Sequence, residues 1–235
     1  MSWHNGPMVA FDTETTGTDP TEARIVTACV VQVRAGGEPR SRTWLADPGV
    51  PIPPEATAVH GITDEVARAE GDDPARVADE VADELVAAWS QGLPVVAMNA
   101  SYDVTVLAGE LRRHGLPGLD ERRGDTPMLL VDPLVLDRAL DRYRRGKKRL
   151  TDLCAVYDVV LDAAHTADAD ALATARVAWR IAERYPDQVQ CDLVELQARQ
   201  SRWHAEWAAG FEAWMRANVD PETVIERMWP FRDAG

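Results

Sequence analysis

The strongest constraint on this chain is a change of period along it. Three strand-like runs come first, and strand-like and helix-like segments alternate afterwards. Met8–Asp12 (MVAFD) is a short apolar run ending in acid. A second run covers Arg24–Arg34, residues 35–40 (AGGEPR) have hairpin character, and Ser41–Leu45 supplies a third strand. Residues 47–56 are broken by proline and predict a loop leading into a short helix. Val77, Val81, Leu85 and Trp89 then mark one face of a helix over Pro74–Trp89. Pro94–Met98 predicts a strand, Tyr102–His114 a helix, and Met128–Val131 another buried strand ending in Asp132–Pro133. Arg149–Tyr157 and Asp168–Arg184 predict helices, the latter with Leu172, Ala175, Trp179 and Ala182 on one face. Such an order implies an α/β fold with a mixed sheet.

With 235 residues, the chain is long enough for one large domain or a medium domain with an extension. No apolar run approaches the roughly 20 residues that cross a bilayer, and MSWHNGPMVAF lacks the pattern of a secretory signal. Cys29, Cys154 and Cys191 are far apart, odd in number and in no CxxC pair, which favours reduced thiols in the cytoplasm over disulfides or structural zinc. From Pro186 onward the character changes. Four of the eight tryptophans lie there, and Trp203, Trp207, Phe211 and Trp214 form one helical stripe. That stripe either packs on its own domain or docks a partner. Residues 1–185 are therefore expected to form the main domain and 186–235 a Trp-rich helical extension.

The sharpest chemical signal is Asp12-Thr13-Glu14-Thr15-Thr16-Gly17. Residues two apart on a strand share a face, so Asp12 and Glu14 project side by side. Adjacent carboxylates repel each other unless a cation lies between them, and oxygen donors suit Mg²⁺ or Mn²⁺. Taken alone, the pair is better read as a solvated strand end whose acids face water.

Three further segments accompany it in order: Val59-His60-Gly61-Ile62-Thr63, Asn99-Ala100-Ser101-Tyr102-Asp103 and His165-Thr166-Ala167-Asp168-Ala169-Asp170-Ala171. Together the four segments resemble the motifs of the DnaQ-like (DEDDh) 3′→5′ exonucleases, the family that includes the proofreading epsilon subunit of bacterial DNA polymerase III. The resemblance spans residues 8 to about 185 and implies a ribonuclease H-like fold, a mixed five-stranded sheet flanked by helices, with a C-terminal helical extension. It also implies two divalent metal ions, Mg²⁺ or Mn²⁺, held by Asp12, Glu14, Asp103 and Asp170. Asp12 would bridge both ions, Glu14 and Asp170 would stand on the nucleophile side, and Asp103 would act directly or through water. His165 would be the general base, as an imidazole titrating near about pH 6.5 permits. Thr15, Thr16, His60 and Tyr102 would meet the terminal nucleotide. Many relatives carry His before the Asn of the second motif; here Met98 stands in that place, so any polar contact made there is lost.

The activity implied is release of nucleoside monophosphates from single-stranded DNA 3′ ends, in repair or proofreading. RNA trimming and a catalytically silent binding module remain open. A net charge of −14 is unusual for an enzyme that grips phosphates, and implies weak, salt-dependent binding unless a partner, such as a polymerase held by the tail, assists. Arg138–Arg149 (RALDRYRRGKKR), with seven basic residues against one Asp, either follows an incoming strand or forms a solvated helix end.

Overall fold

A computed structural model describes residues 2–34, 36–161 and 167–231. Its sheet has the order β3-β2-β1-β4-β5. Strands β1 (Met8–Thr15), β2 (Ile25–Val33) and β3 (Arg40–Leu45) form an antiparallel meander. Helices α1 (Pro54–His60), α2 (Asp64–Glu70) and α3 (Pro74–Ser90) then lead to β4 (Val95–Val96), which pairs parallel with β1. After α4 (Ala100–Arg113) and α5 (Leu119–Arg123), β5 (Leu130–Val131) adds parallel to β4. Helices α6 (Pro133–Leu140), α7 (Leu150–Val156), α8 (Ala167–Arg184), α9 (Pro186–Val189) and α10 (Leu193–Asn218) complete the chain. This is the ribonuclease H-like topology expected, with both faces of the sheet covered by helices. Among the described residues, no helix is long and apolar enough to cross a membrane.

The pleat of β1 divides the core in two. Val9 and Phe11 pack with Val81 and Leu85 of α3 and Val104 and Leu107 of α4. Met8 and Ala10 face the other way, toward Ala171, Ala175 and Ala178 of α8. Phe11 is fully buried, which contributes about 1.5–3 kcal/mol. The alanines of α8 have little bulk, so this helix lies close across β1 and β2. Asp12 and Glu14 continue the Met8–Ala10 row and so emerge on the α8 side of the sheet.

An edge strand exposes unpaired backbone groups. On β5 the glutamines of α10 cover them. Gln197 Oε1 accepts from Leu130 N (2.8 Å), Gln200 Oε1 accepts from Asp132 N (2.7 Å), and Gln200 Nε2 donates to the Leu130 carbonyl (2.9 Å).

Several element bounds differ from those expected. Strand β1 continues past Asp12 to Thr15, because β-branched Thr13 and Thr15 keep pairing with β2 up to Ile25. Strand β4 contracts to two residues, since Asn99 already has φ 61° at the start of α4. Helices α2, α5 and α6 are too short for periodicity to announce them. Each is set instead by its first residues: Thr63 caps α2, Asp132 caps α6 before Pro133, and Gly118 opens α5.

Candidate active site

Asp12 and Glu14 on β1 meet Asp170 from the first turn of α8. One carboxylate oxygen from each lies within 4.8 Å of the other two. Burial raises the pKa of Asp12 well above the usual carboxylate range, reinforced by the charges of Asp103, Glu14 and Asp170. Burial and then Asp170 push Glu14 up to about 7. Three partly buried oxygen donors that destabilise one another when ionised match the demands of a hard divalent cation, which would remove their repulsion. The residues therefore fit the metals that the motif implied.

Asp103 stands beside this triad, not within it. It is buried at the start of α4, and its Oδ1 accepts from Thr13 N (3.0 Å) and Thr13 Oγ1 (2.7 Å). Burial raises its pKa to about 7; the Thr13 hydrogen bonds oppose that rise and Asp132 adds to it. One carboxylate oxygen is thus occupied by β1 itself. His165 lies outside the described residues.

The four residues expected at the nucleotide fall into two groups. Thr15 Oγ1 and the Tyr102 hydroxyl stand 2.5 Å apart and share the Gly17 carbonyl, fixing the turn after β1 to α4. Thr16 pairs with Arg24 through its N–H and its Oγ1 (both 3.0 Å), closing the β1–β2 end. His60 sits across the sheet end, its Nδ1 accepting from Ile62 N (3.1 Å). Burial lowers its pKa, an effect that the Thr15 backbone partly offsets. His60, Trp44, Ile62 and Asp168 line a cleft of about 260 Å³ together with Glu14, one member of the triad.

Sequence reading noted Asp132 only as the end of a strand, yet it organises the site from behind. It is 1% exposed and accepts from Asn99 N (3.0 Å) and Ala100 N (2.9 Å) ahead of α4, and from Leu134 N (2.9 Å) at α6. The Trp229 indole also donates to it (3.4 Å). An Asp-Pro pair closing an apolar strand was the available signal. Met98 is partly buried and packs in the α8-side core.

The basic stretch is not a uniform phosphate track. Arg144 (2.7 Å) and Lys148 both pair with Asp137, which is fully buried and also accepts from the Tyr157 hydroxyl (2.9 Å). These two cations are structural. The aromatic stripe divides too: Trp203 packs toward the core, whereas Phe211 and Trp214 are 37% and 54% exposed.

The sheet order and the carboxylate cluster define a ribonuclease H-like domain with an acidic triad of metal-binding type. Comparison with known proteins agrees. The sequence profile of the RNase T exonuclease family matches residues 9–178, and the chain belongs to that family. It is 30% identical over 173 residues to the PolC-type DNA polymerase III of Halalkalibacterium halodurans, covering 74% of this chain and 11% of that protein. The same enzyme of Listeria monocytogenes is 30% identical over 171 residues, covering 73% and 11%. The chain thus spans about a tenth of the length of these relatives. An exonuclease I from Methylocaldum szegediense shares the fold with a TM-score of 0.67 at 24% identity, covering 87% of this chain and 46% of that chain. Escherichia coli exonuclease I in complex with a dA16 oligonucleotide does so with a TM-score of 0.65 at 22% identity, covering 77% and 42%.

Proposed function

We propose that the protein hydrolyses single-stranded DNA from the 3′ end, releasing nucleoside monophosphates. The observation that carries this reading is the convergence of Asp12, Glu14 and Asp170 from two distant segments. These residues, with Asp103, would hold two divalent cations, Mg²⁺ or Mn²⁺. When bound, such a pair supplies an activated water and neutralises the departing 3′ oxygen. Asp12, which lies among the other carboxylates, would be the ligand common to both ions, and Asp103 would act from the α4 side. His165, five residues before Asp170, takes the proton of the attacking water. His60 would meet the terminal nucleotide from the 260 Å³ cleft, and Thr15, Thr16 and Tyr102 would meet it from the turn that follows β1.

DNA is favoured over RNA because the structural relatives include exonuclease I bound to dT13 and dA16. Proofreading or repair is the setting to which the PolC-type relatives point, with a polymerase as a candidate partner of residues 186–235. The three free thiols suit a reducing compartment, the cytoplasm. Residues 1–185 are taken as the catalytic unit.

Digestion of 5′-labelled single-stranded DNA and RNA with Mg²⁺ or Mn²⁺ tests this. A DNA ladder shortening from the 3′ end, abolished by EDTA and by Asp12→Ala, is expected. Faster loss of RNA would transfer the reading to RNA trimming, and no cleavage of either polymer would favour a binding module.

A further inference from the structure

A groove of about 720 Å³ opens beside the site, between α6 and the start of α7 on one wall and α10 with the chain that follows it on the other. Its inner end is formed by Met98 and Asn99, immediately before the helix that carries Tyr102 and Asp103. Arg138, Lys148 and Arg149 bring positive charge to it, with Glu226 as the acid in its lining. Lys148 meets Asp137, and Arg144 meets both Asp137 and Asp141 (3.5 Å), so those two cations are balanced and the groove's charge rests on Arg138 and on Arg149, which also reaches Asp152 (3.4 Å). The Arg138 guanidinium lies over the Trp207 ring, 3.5 Å from its centroid, which fixes the plane of an otherwise flexible side chain. Trp207 in turn stacks with Phe211 (5.3 Å, 16°), and Phe211 with Trp214 (6.1 Å, 8°), forming a row of nearly parallel rings along α10.

Preset guanidinium groups beside stacked aromatic faces are the elements of a surface for single-stranded nucleic acid. Charge decides between occupants. In a protein of net charge −14, a phosphate chain is repelled from most of the surface, and this local pair of arginines leads directly to α4. We infer that the groove takes the strand upstream of the scissile nucleotide, with Arg138 and Arg149 on its phosphates and the Trp207 row receiving bases. This rests on the exonuclease reading and gives the acidic protein its means of holding a polymer. The groove also uses α10, so the C-terminal extension belongs to substrate binding.

The test is fluorescence anisotropy with labelled dT3 and dT12, with Ca²⁺ as the cation, on wild type, Arg138→Gln, Arg149→Gln and Trp207→Leu. dT3 reaches only the carboxylate site, whereas dT12 also spans the groove. Each arginine variant is expected to weaken dT12 about five- to tenfold and lower the salt slope by about 0.7, leaving dT3 within about twofold. Trp207→Leu keeps the charge but releases the guanidinium, so a loss of about threefold is expected. Unchanged dT12 binding, or equal loss for both lengths, overturns the inference. Tight binding of a polyaspartate peptide in place of dT12, lost in the same variants, would make the groove a protein-docking face. The two readings fail separately: a wild type that shortens DNA while the variants bind it normally removes only the groove. A wild type that neither binds nor shortens DNA removes the nuclease reading with it.

Discussion

Asp103 accepts two hydrogen bonds from Thr13, one from the backbone N–H at 3.0 Å and one from the hydroxyl at 2.7 Å. Thr13 stands between Asp12 and Glu14 but points to the opposite face of the sheet. The strand that supplies two carboxylates to the triad thereby orients a third on the adjoining helix.

Thr13→Val keeps the β-branched shape and removes the hydroxyl bond. A lost bond to a charged group is worth about 1.5–3 kcal/mol, so kcat should fall roughly 10- to 100-fold with the fold intact. The Mg²⁺ concentration for half-maximal rate should rise. Wild-type rate and metal response in this variant would show that Asp103 does not depend on Thr13.

The metal-free protein should be less stable at pH 8 than at pH 5. Glu14 and Asp103 have folded pKa values of about 7, above the values of 4.5 and 3.8 that free carboxyls show. Between those limits the folded state holds more protons than the unfolded one, so stability declines as pH rises through the window. In EDTA, the Tm of wild type should drop across that range more than that of Asp12→Asn, and millimolar Mn²⁺ should restore it at pH 8. Parallel pH profiles for the two proteins in EDTA would refute this account.

Asp132→Ala strands the N–H groups of Asn99, Ala100 and Leu134 in the interior. With unsatisfied donors costing about 1–3 kcal/mol each, a loss of at least about 3 kcal/mol is expected in urea unfolding. Activity should decline as well, because α4 carries Asp103. A stability change under about 1 kcal/mol would mean that water or a shifted backbone replaces the carboxylate.

Arg144→Ala and Lys148→Met should act on stability. Each removes a partner of Asp137, which is fully buried, and breaking a buried pair costs roughly 3–5 kcal/mol. The contrast with Arg138→Gln and Arg149→Gln, which should weaken strand binding without lowering Tm appreciably, separates structural from substrate-facing cations. Equal Tm losses in all four variants would erase that distinction.

Much of the architecture was legible along the chain, because it rests on local rules. Apolar blocks and helical spacing located the strands and long helices, and Asp12-Thr13-Glu14 announced two carboxylates on one face through the two-residue period of a strand. The order of the four motif segments also carried the family. The short helices α2, α5 and α6 escaped, since five to eight residues hold too few turns for a period to show, whereas α1 and α7, of similar length, were expected.

Long-range pairings were a different matter. That Asp170 closes the triad while Asp103 is held by Thr13 depends on where α8 and α4 land on the sheet. That Arg144 and Lys148 are spent on Asp137 while Arg138 is pinned by Trp207 depends on partners brought together by packing. A sequence specifies which side chains are charged, aromatic or able to bond, and the periodicity of its own segments specifies their faces. Burial decides what those groups do, because desolvation makes an unpaired charge costly and so commits each one to whichever partner the folded chain places beside it.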